Sequence, residues 1–360
     1  MVVRSKELNL KDYSVCFGNA KTLLSKFLSD TKYSMFFVLV DENTKTHCLP
    51  LISEAVSGFE VIEITSGEVN KNLETCNLIW NKLIEKNAGR NTLLINLGGG
   101  VIGDMGGFCA AVYKRGIDFL QIPTTLLSQV DASVGGKLGI DFNLIKNCIG
   151  VFRNPLQVII DSDFLSTLPK REFLSGYAEI YKHALIFDDE YWKLLQKYPP
   201  LNNINTKELN EIIYSSVEIK KKVVEQDPFE KNIRKILNFG HTIGHAVETY
   251  FLERDEKPLL HGEAIIVGMI CESYLSSKFN GLSEESLKDI ISTFGYSYQY
   301  RLIPKSAHLK ILSFIKNDKK NIAKENNFTF LNKIGDSKIN CTANKEEIID
   351  ALNFYNKTVI

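Results

Sequence analysis

Residues 92–104 have the sequence TLLINLGGGVIGD, in which a mainly apolar run is followed directly by three glycines. An apolar run of this length that ends in glycine is typical of a buried β-strand, and a helix is predicted after it. The glycines match G-x-G-x-x-G from Gly98 to Gly103, a pattern whose backbone amides can hold a pyrophosphate. The match alone fits a tight strand-to-helix turn equally well. It also follows the third predicted strand, whereas the dinucleotide fingerprint normally follows the first.

The flanking regions repeat this alternation of strand and helix. Short apolar runs that end in small or polar residues predict four further strands, at Met35–Val40, Val61–Thr65, Phe119–Ile122 and Val158–Ile160. A helix is predicted over Leu73–Lys86. Strands that alternate with helices indicate an α/β domain with a parallel sheet, and ligands bind at the carboxyl ends of its strands.

The pattern changes after Leu168-Pro169, where helical periodicity becomes dominant and continues to about Phe279. We place a domain boundary near Thr167, which gives an N-terminal α/β domain of residues 1–167 and a mainly α-helical domain of residues 168–360. The predicted elements of the second domain include helices at Glu208–Val224 and Ala264–Lys278, a hairpin of Phe328–Leu331 with Lys338–Thr342, and a final helix from Lys345.

Composition and charge limit the classes of function. The 43 Lys and Arg residues balance 43 Asp and Glu residues, so no net positive field is available to hold nucleic acid or an anionic membrane. The seven cysteines are widely spaced and include no C-x-x-C pair, which favours a reducing compartment over a disulfide framework. No signal peptide and no membrane-spanning run are recognised, so a cytoplasmic protein is expected.

Three of the six histidines fall in two short segments, His241-Thr-Ile-Gly-His245 and His261-Gly-Glu263. His241 and His245 are four residues apart and so lie on one helix face, and His261 could be a further ligand of the same metal. Catalytic zinc commonly has two histidines and one carboxylate, for which Glu179 is the candidate. Its apolar surroundings suggest that Glu179 is buried with Lys182, although such a pair is ordinarily a surface ion pair. The alternative is a set of histidines that fill or cap the core.

A stretch rich in glycine and small residues, 130–150, contains Asp131, Lys137 and Lys146. The two lysines flank its glycines and lie close in sequence to Thr124-Thr125 at a predicted strand end. They could therefore line an anion pocket. Single lysines are more often solvated surface charges, and that alternative stays open.

Six segments, taken in their order along the chain, resemble the 3-dehydroquinate synthase family of the sugar phosphate cyclase superfamily. They are LGGGVIGDMGGF (97–108), IPTTLLSQVDASVGGK (122–137), KNCIGVFRNP (146–155), FLSTLPKREFLSGYAEIYK (164–182), NFGHTIGH (238–245) and LLHGEA (259–264). The resemblance is dense from about Asn96 to Met269. It implies an N-terminal NAD-binding α/β domain and a C-terminal, mainly helical domain that binds zinc and substrate.

The resemblance also implies roles for individual residues. It places zinc, for which Co²⁺ can substitute, on Glu179, His241 and His261, so that His245 becomes an acid/base or phosphate-contacting residue and the i,i+4 pair is not a ligand pair. The implied catalytic residues are His245, Glu230 as a proton acceptor, Lys182 and Asp131. The implied substrate contacts are Arg115 from a partner subunit, Lys137, Asn147, Lys220, Arg234, Asn238, and Lys319 or Lys320. The implied NAD contacts are Asp41, Asn43, Glu68, Val69, Asn70, Lys71, Gly100, Val101, Ile102, Gly103, Asp104, Thr124, Thr125, Lys146, Phe164, Leu165, Ser166 and Thr167.

The activity implied by the resemblance is the conversion of 3-deoxy-D-arabino-heptulosonate 7-phosphate to 3-dehydroquinate and phosphate, a step of the shikimate pathway to aromatic amino acids. NAD oxidises the C5 hydroxyl, phosphate is eliminated, the hydride returns to C5, and an intramolecular aldol reaction closes the ring. The family also implies a homodimer.

Three alternatives remain beside this prediction. A metal-dependent polyol dehydrogenase has no reason to gather so many cationic residues. Other sugar phosphate cyclases act on substrates without a carboxylate, which leaves Arg234 without a role. An inactive ligand-binding paralogue would not need the complete ligand set. The chain departs from the family at Leu138, where a small hydroxyl residue is usual, and in a slightly long spacer between His245 and His261.

Overall fold

The computed structural model describes residues 6–143, 145–202, 204–316 and 326–358. Lys319 and Lys320 lie outside the described residues. The chain divides into two compact units, Met1–Pro169 and Lys170–Ile360. Within the described ranges, no helix is both long and apolar enough to cross a bilayer. All seven cysteines are free, and five of them are buried.

A seven-stranded sheet organises the first unit. The strands of this unit are β1 (Lys6–Asn9), β2 (Ser14–Phe17), β3 (Met35–Asp41), β4 (Glu60–Ile64), β5 (Thr92–Gly98), β6 (Asp118–Pro123), β7 (Lys137–Phe142), β8 (Ile145–Phe152) and β9 (Gln157–Ile160). The sheet has the order β1-β2-β9-β6-β5-β3-β4. Every neighbouring pair is parallel except β1 with β2. The parallel sheet and its five predicted strands are confirmed.

We call residues 98–103 the glycine loop, and its position in the strand count is corrected. The loop follows the fifth strand of the chain and not the third, because β1 and β2 were not predicted. Their sequences, KELN and SVCF, contain no apolar run long enough to indicate a strand. The pairing of β2 with β9 places both short strands at one edge of the sheet.

Helices cover both faces of this sheet. They are α1 (Ala20–Ser29), α2 (Glu42–His47), α3 (Leu49–Ile52), α4 (Leu73–Glu85) and α5 (Gly100–Val112). Because successive strand residues point to opposite faces, Phe37 and Leu39 pack with α4 and α5, whereas Val38 and Val40 pack with α1 and α3. Strand β5 is therefore buried along its whole length, as expected for a central parallel strand.

The glycine-rich stretch after β6 contains an antiparallel hairpin of β7 and β8 that was not predicted. Gly139 pairs with Gly150, and a Cβ on Gly150 would lie 2.3 Å from the carbonyl oxygen of Leu138, so the two strands approach more closely than side chains would permit. The Leu138 side chain is buried against Gly107 of α5, where an added Cβ would lie 2.5 Å from it. The departure from the family at Leu138 thus concerns packing of the core.

The second unit is mainly helical, as predicted. Its elements are α6 (Lys170–Phe187), α7 (Asp189–Lys197), α8 (Thr206–Gln226), α9 (His241–Leu252), α10 (His261–Phe279), α11 (Glu284–Gly295), α12 (His308–Lys316), β10 (Phe328–Lys333), β11 (Asp336–Cys341) and α13 (Lys345–Thr358). The two predicted long helices, the hairpin and the C-terminal helix are all confirmed, with ends that differ by a few residues.

Glycines allow α6, α9 and α10 to approach one another closely. A Cβ on Gly268 of α10 would lie 1.8 Å from the carbonyl oxygen of Gly240, which directly precedes α9. A Cβ on Gly262 would lie 2.0 Å from the carbonyl oxygen of Ser175 in α6. Gly240 itself has a φ of 78°, which favours glycine. These contacts bring the first residues of α9 and α10 to the middle of α6.

Candidate active site

Three potential metal ligands meet where these helices converge, and we call Glu179, His241 and His261 the metal cluster. His241 and His261 are the first residues of α9 and α10, and Glu179 lies in the middle of α6. Glu179 Oε1 lies 3.7 Å from His241 Nε2 and 3.3 Å from His261 Nε2, and its side chain is fully buried. Ligand atoms about 2.0–2.2 Å from a tetrahedral zinc are separated by roughly 3.3–3.6 Å. The spacing and chemistry of these donors therefore fit zinc.

The other ring nitrogen of each histidine in the metal cluster also has a partner. His241 Nδ1 lies 3.0 Å from the carbonyl oxygen of Phe239, and His261 Nδ1 lies 3.3 Å from Glu248 Oε2. A carbonyl oxygen only accepts, so the hydrogen bond to Phe239 places the proton of His241 on Nδ1 and leaves Nε2 as a lone-pair donor. This arrangement is characteristic of metal-binding histidines.

The electrostatics of the cluster favour a positive charge. Burial lowers the pKa of His261, but hydrogen bonds and charge interactions with Glu179 and Glu248 outweigh it and raise the pKa to about 9. The same two carboxylates would stabilise a divalent cation bound between the side chains.

His245 lies beside the metal cluster. Ring nitrogens of His241, His245 and His261 all lie within 4.8 Å of one another, and the His245 ring centroid is 5.0 Å from that of His241. The three imidazoles could hold an ion by themselves, but Glu179 lies against His241 and His261. The geometry thus brings together both ligand sets considered from the sequence, namely the three histidines and the pair His241 and His261 with Glu179.

Buried cations accompany the cluster in the second unit. Lys182 is ion-paired with Glu179, and both side chains are almost completely buried, so the predicted burial of this pair is confirmed. Lys220 of α8 and Arg234 are also buried, and Arg234 Nη1 donates to the carbonyl oxygen of Pro228 at 2.5 Å. Lys182, Lys220 and Arg234 therefore place three buried cationic side chains in the second unit.

The segment between α8 and α9 contains two more predicted residues, Glu230 and Asn238. Asn238 Nδ2 donates to Glu230 Oε1 at 2.8 Å, so these two are brought together. The carboxylate of Asp227 accepts the backbone N–H groups of Asn232 at 2.6 Å and of Arg234 at 3.2 Å, among others. Burial raises the pKa of Asp227, but these amides outweigh it and the pKa is lowered overall. Asp227 thereby fixes the backbone that carries Arg234.

In the first unit, a buried ammonium links three segments, and we call Lys71, Asp104 and Asn147 the lysine cluster. Lys71 Nζ donates to Asp104 Oδ2 at 2.6 Å and to Asn147 Oδ1 at 2.7 Å. Burial lowers the pKa of Lys71, but the charges of Asp104 and Glu68 outweigh it and raise the pKa. The cluster joins two predicted NAD contacts to a predicted substrate contact.

The glycine loop lies at the carboxyl ends of β5 and β6. Thr124 N donates to the carbonyl oxygen of Gly98 at 3.0 Å, and Thr125 abuts Gly99. Gly100 begins α5, and a Cβ there would lie no closer than 3.6 Å to any neighbouring atom. The protein itself therefore leaves room at Gly100. This arrangement fits an anion at a helix N-terminus.

The remaining predicted residues of the first unit differ in exposure. Asp41 caps α2 by accepting the Thr44 N–H at 2.7 Å, while Val69 is 79% exposed. Ile102, Phe164 and Leu165 are buried. The residues that are partly exposed are Glu68, Asn70, Val101, Gly103, Thr125, Asp131 and Lys146, and those that are exposed are Asn43, Arg115, Lys137, Ser166 and Thr167.

Sequence reasoning missed two carboxylates that support the metal cluster. Glu248 contacts His261, and it lies seven residues after His241 on the same face of α9. Glu272 of α10 is buried and accepts the N–H of Gly240 at 2.7 Å and of Thr242 at 3.1 Å, which caps the start of α9. The spacing of Glu248 was a signal in the sequence. The role of Glu272 depends on the crossing of two helices, so no pattern in the sequence indicated it.

Comparisons with known proteins identify the family of this chain. The family model for the N-terminal part of 3-dehydroquinate synthase matches residues 61–175, and the model for the C-terminal part matches residues 176–321. A 3-dehydroquinate synthase from Parabacteroides distasonis is 43% identical over 342 residues, which cover 94% of this chain and 96% of that protein.

Two solved structures share the fold. One is 2-epi-5-epi-valiolone synthase from Streptomyces hygroscopicus with NAD⁺ and Zn²⁺ bound, with a TM-score of 0.85, 24% identity, and coverage of 98% of this chain and 99% of the other. The second is 2-deoxy-scyllo-inosose synthase complexed with carbaglucose-6-phosphate, NAD⁺ and Co²⁺, with a TM-score of 0.84, 24% identity, and coverage of 97% and 99%. From the family models and the extent of the sequence identity, this chain belongs to the 3-dehydroquinate synthase family.

Proposed function

We propose that this chain is a 3-dehydroquinate synthase, a phosphate-eliminating lyase of the shikimate pathway that forms 3-dehydroquinate and phosphate from 3-deoxy-D-arabino-heptulosonate 7-phosphate. The two family models and the relative from Parabacteroides distasonis each match this chain, and together they cover most of it. The observation that carries the proposal is the meeting of Glu179, His241 and His261, which come from three separate helices. A carboxylate with two imidazoles is a donor set of catalytic zinc.

The proposed cofactors are NAD and a divalent metal, Zn²⁺ or Co²⁺, as in the two solved structures named above. When bound, NAD supplies a reversible hydride acceptor and the metal on Glu179, His241 and His261 supplies a Lewis acid. The start of α5 and the lysine cluster would hold the nucleotide. Lys71 neutralises Asp104 there and so limits the repulsion between that carboxylate and a pyrophosphate.

The second unit would bind and orient the anionic substrate. Arg234, whose guanidinium suits a carboxylate in a bidentate geometry, is held by Asp227 and Pro228. Lys182 and Lys220 are buried cations suited to oxygen atoms of the substrate. His245 would contact the phosphate or carry a proton, and Glu230, oriented by Asn238, would accept one. Lys319 or Lys320 would complete the anion site.

The proposal extends to assembly and location. We assign a homodimer in which Arg115 reaches the site of a partner subunit. Arg115 is exposed and has a backbone φ of 69°, in the turn between α5 and β6. A cytoplasmic location is supported by seven free cysteines, since disulfides are rare in that reducing compartment.

A redox-neutral cycle distinguishes this proposal from a polyol dehydrogenase. A dehydrogenase releases both its ketone and its NADH. Here several cations would hold the oxidised intermediate through charge-assisted contacts, each contributing about 1.5–3 kcal/mol. Two such contacts slow release by at least about a hundredfold, at about 1.4 kcal/mol per tenfold, so elimination and hydride return can occur first.

The test is the stoichiometry of turnover with the heptulosonate phosphate and catalytic NAD. Phosphate and a product with the mass of 3-dehydroquinate should form one to one, over many turnovers per NAD. Absorbance at 340 nm that rises mole for mole with product, without release of phosphate, would establish a dehydrogenase. A product of another mass would establish a different cyclase.

A further inference from the structure

The ring of His261 lies between two carboxylates. Its Nε2 is 3.3 Å from Glu179 Oε1, and its Nδ1 is 3.3 Å from Glu248 Oε2. Glu248 is only 6% exposed. Burying a carboxylate is unfavourable unless its charge is compensated, so the placement of Glu248 indicates a specific partner. His261 is that partner on the side away from Glu179.

The two histidines of the metal cluster are oriented by different kinds of group. His241 Nδ1 lies 3.0 Å from the backbone carbonyl of Phe239, a partner that every side-chain substitution retains. His261 Nδ1 instead lies against a side chain. The orientation of His261 therefore depends on Glu248, and a single substitution can remove that support.

The position of Glu248 follows from the fold of the second unit. His241, His245 and Glu248 lie on one face of α9, because their spacings of four and three residues match the helical repeat. The close approach of Gly268 to Gly240 holds α9 against α10, whose first residue is His261. The carboxylate of Glu248 thus reaches the imidazole across a fixed helix crossing.

We infer that Glu248 is a positioning residue of the metal site. Its carboxylate accepts the Nδ1–H of His261, which would fix the tautomer whose Nε2 lone pair can bind a metal held together with Glu179 and His241. It also increases the basicity of the imidazole. Mutation of a carboxylate that hydrogen-bonds to a metal-binding histidine typically weakens metal affinity about 10–100-fold. The inference rests on the proposed function, because it requires the metal cluster to bind the metal.

The experiment measures the affinity of full-length protein for Zn²⁺ by competition with a coloured chelator, and records the visible spectrum of the Co²⁺-loaded protein. Glu248→Ala should weaken zinc binding about 10–100-fold and shift the Co²⁺ bands. Glu248→Gln, whose amide oxygen still accepts the Nδ1–H, should recover most of that loss. Glu248→Met keeps the side-chain volume and removes the acceptor, so it reports the same loss if the alanine variant folds poorly.

The matched control is Glu253→Gln, which removes an exposed carboxylate at the end of the same helix. It should leave both readouts unchanged. The inference is overturned if Glu248→Ala and Glu248→Met both bind zinc within about threefold of the wild-type affinity. If only one of them folds, that variant decides. Carboxylates that contact a metal-binding histidine have larger effects than about threefold. A loss in Glu248→Gln as large as in Glu248→Met would also overturn it, because hydrogen-bond acceptance would then not be the cause.

His261→Ala separates failure of this inference from failure of the proposed function. If His261→Ala loses zinc while the Glu248 variants retain it, the metal cluster stands and only the positioning role is wrong. If His261→Ala itself retains stoichiometric zinc, the metal cluster is wrong and the inference fails with it.

Discussion

The metal cluster and the lysine cluster are built from different kinds of backbone. The metal cluster comes from three long helices, α6, α9 and α10, which are held together by close backbone contacts at glycines. The lysine cluster comes from the loop after β4, the start of α5 and strand β8, which are linked by one ammonium group. This difference indicates that helix packing places the metal cluster, whereas charge holds the lysine cluster together.

The largest expected effect comes from breaking the helix crossing with Gly268→Ala. The added Cβ would lie 1.8 Å from the carbonyl oxygen of Gly240, and backbone atoms cannot move aside as a flexible side chain can. The free energy of unfolding should fall by about 3 kcal/mol, the upper end of the usual cost of overpacking. Zinc affinity should fall with it, as measured by denaturant titration and chelator competition.

The control for this variant is Gly89→Ala. A Cβ added to Gly89 would have no neighbouring atom within 4 Å, and the backbone there has no positive φ, so the change should be nearly neutral. A Gly268→Ala protein as stable as wild type, with unchanged zinc affinity, would show that the crossing does not place the metal cluster.

An intermediate effect is expected when Lys71→Met removes the charge that holds the lysine cluster. Asp104 would lose the ammonium from which it accepts, which should cost about 1–3 kcal/mol of stability at neutral pH. The pKa of Lys71 is raised in the folded protein, so its contribution is complete below the unfolded pKa near 10.5 and is lost as pH rises through the folded value. The stability difference between wild type and Lys71→Met should therefore shrink only in strongly alkaline solution.

The matched control is Lys86→Met, which breaks an exposed pair with Glu60 in the same unit. Surface pairs contribute about 0–1 kcal/mol, so this change should be small at every pH. Equal destabilisation by both variants, measured by denaturant unfolding from neutral to alkaline pH, would contradict a special role for Lys71.

The smallest expected effect on folding, with a selective effect on ligand binding, is that of Gly100→Val. The nearest atom to an added Cβ is 3.6 Å away, so the fold should tolerate the change. A branched side chain at the helix N-terminus would obstruct a pyrophosphate, and NAD affinity should fall at least about tenfold, or about 1.4 kcal/mol. Calorimetric titration with NAD tests this, with zinc content expected to stay constant.

The corresponding control is Gly89→Val, which should bind NAD as the unchanged protein does. Wild-type NAD affinity in folded Gly100→Val would show that the glycine loop is only a structural turn.

Much of the fold could be predicted because local hydrophobic patterns in the sequence indicate its strands and helices. The apolar runs of β3, β4, β5, β6 and β9 indicated buried parallel strands, and helical periodicity indicated the second unit. The short strands β1 and β2 were missed because KELN and SVCF contain no continuous run of β-branched apolar residues, whereas the equally short β9 contains Val158–Ile160. The hairpin β7–β8 was missed because its glycines read as loop, although glycine is what lets Gly139 face Gly150.

By itself the sequence determined the candidate chemistry, through the spacing of His241 and His245 on one helix face and through glycines at a strand end. Its segments also determined the family. Only the tertiary structure decided which side chains meet. Glu179, Glu248 and His261 come together because α6, α9 and α10 cross at glycines, and Lys71, in the loop after β4, meets Asn147 in strand β8. The physical reason is that periodicity records which face of an element is buried, while the partner of that face is chosen by long-range packing.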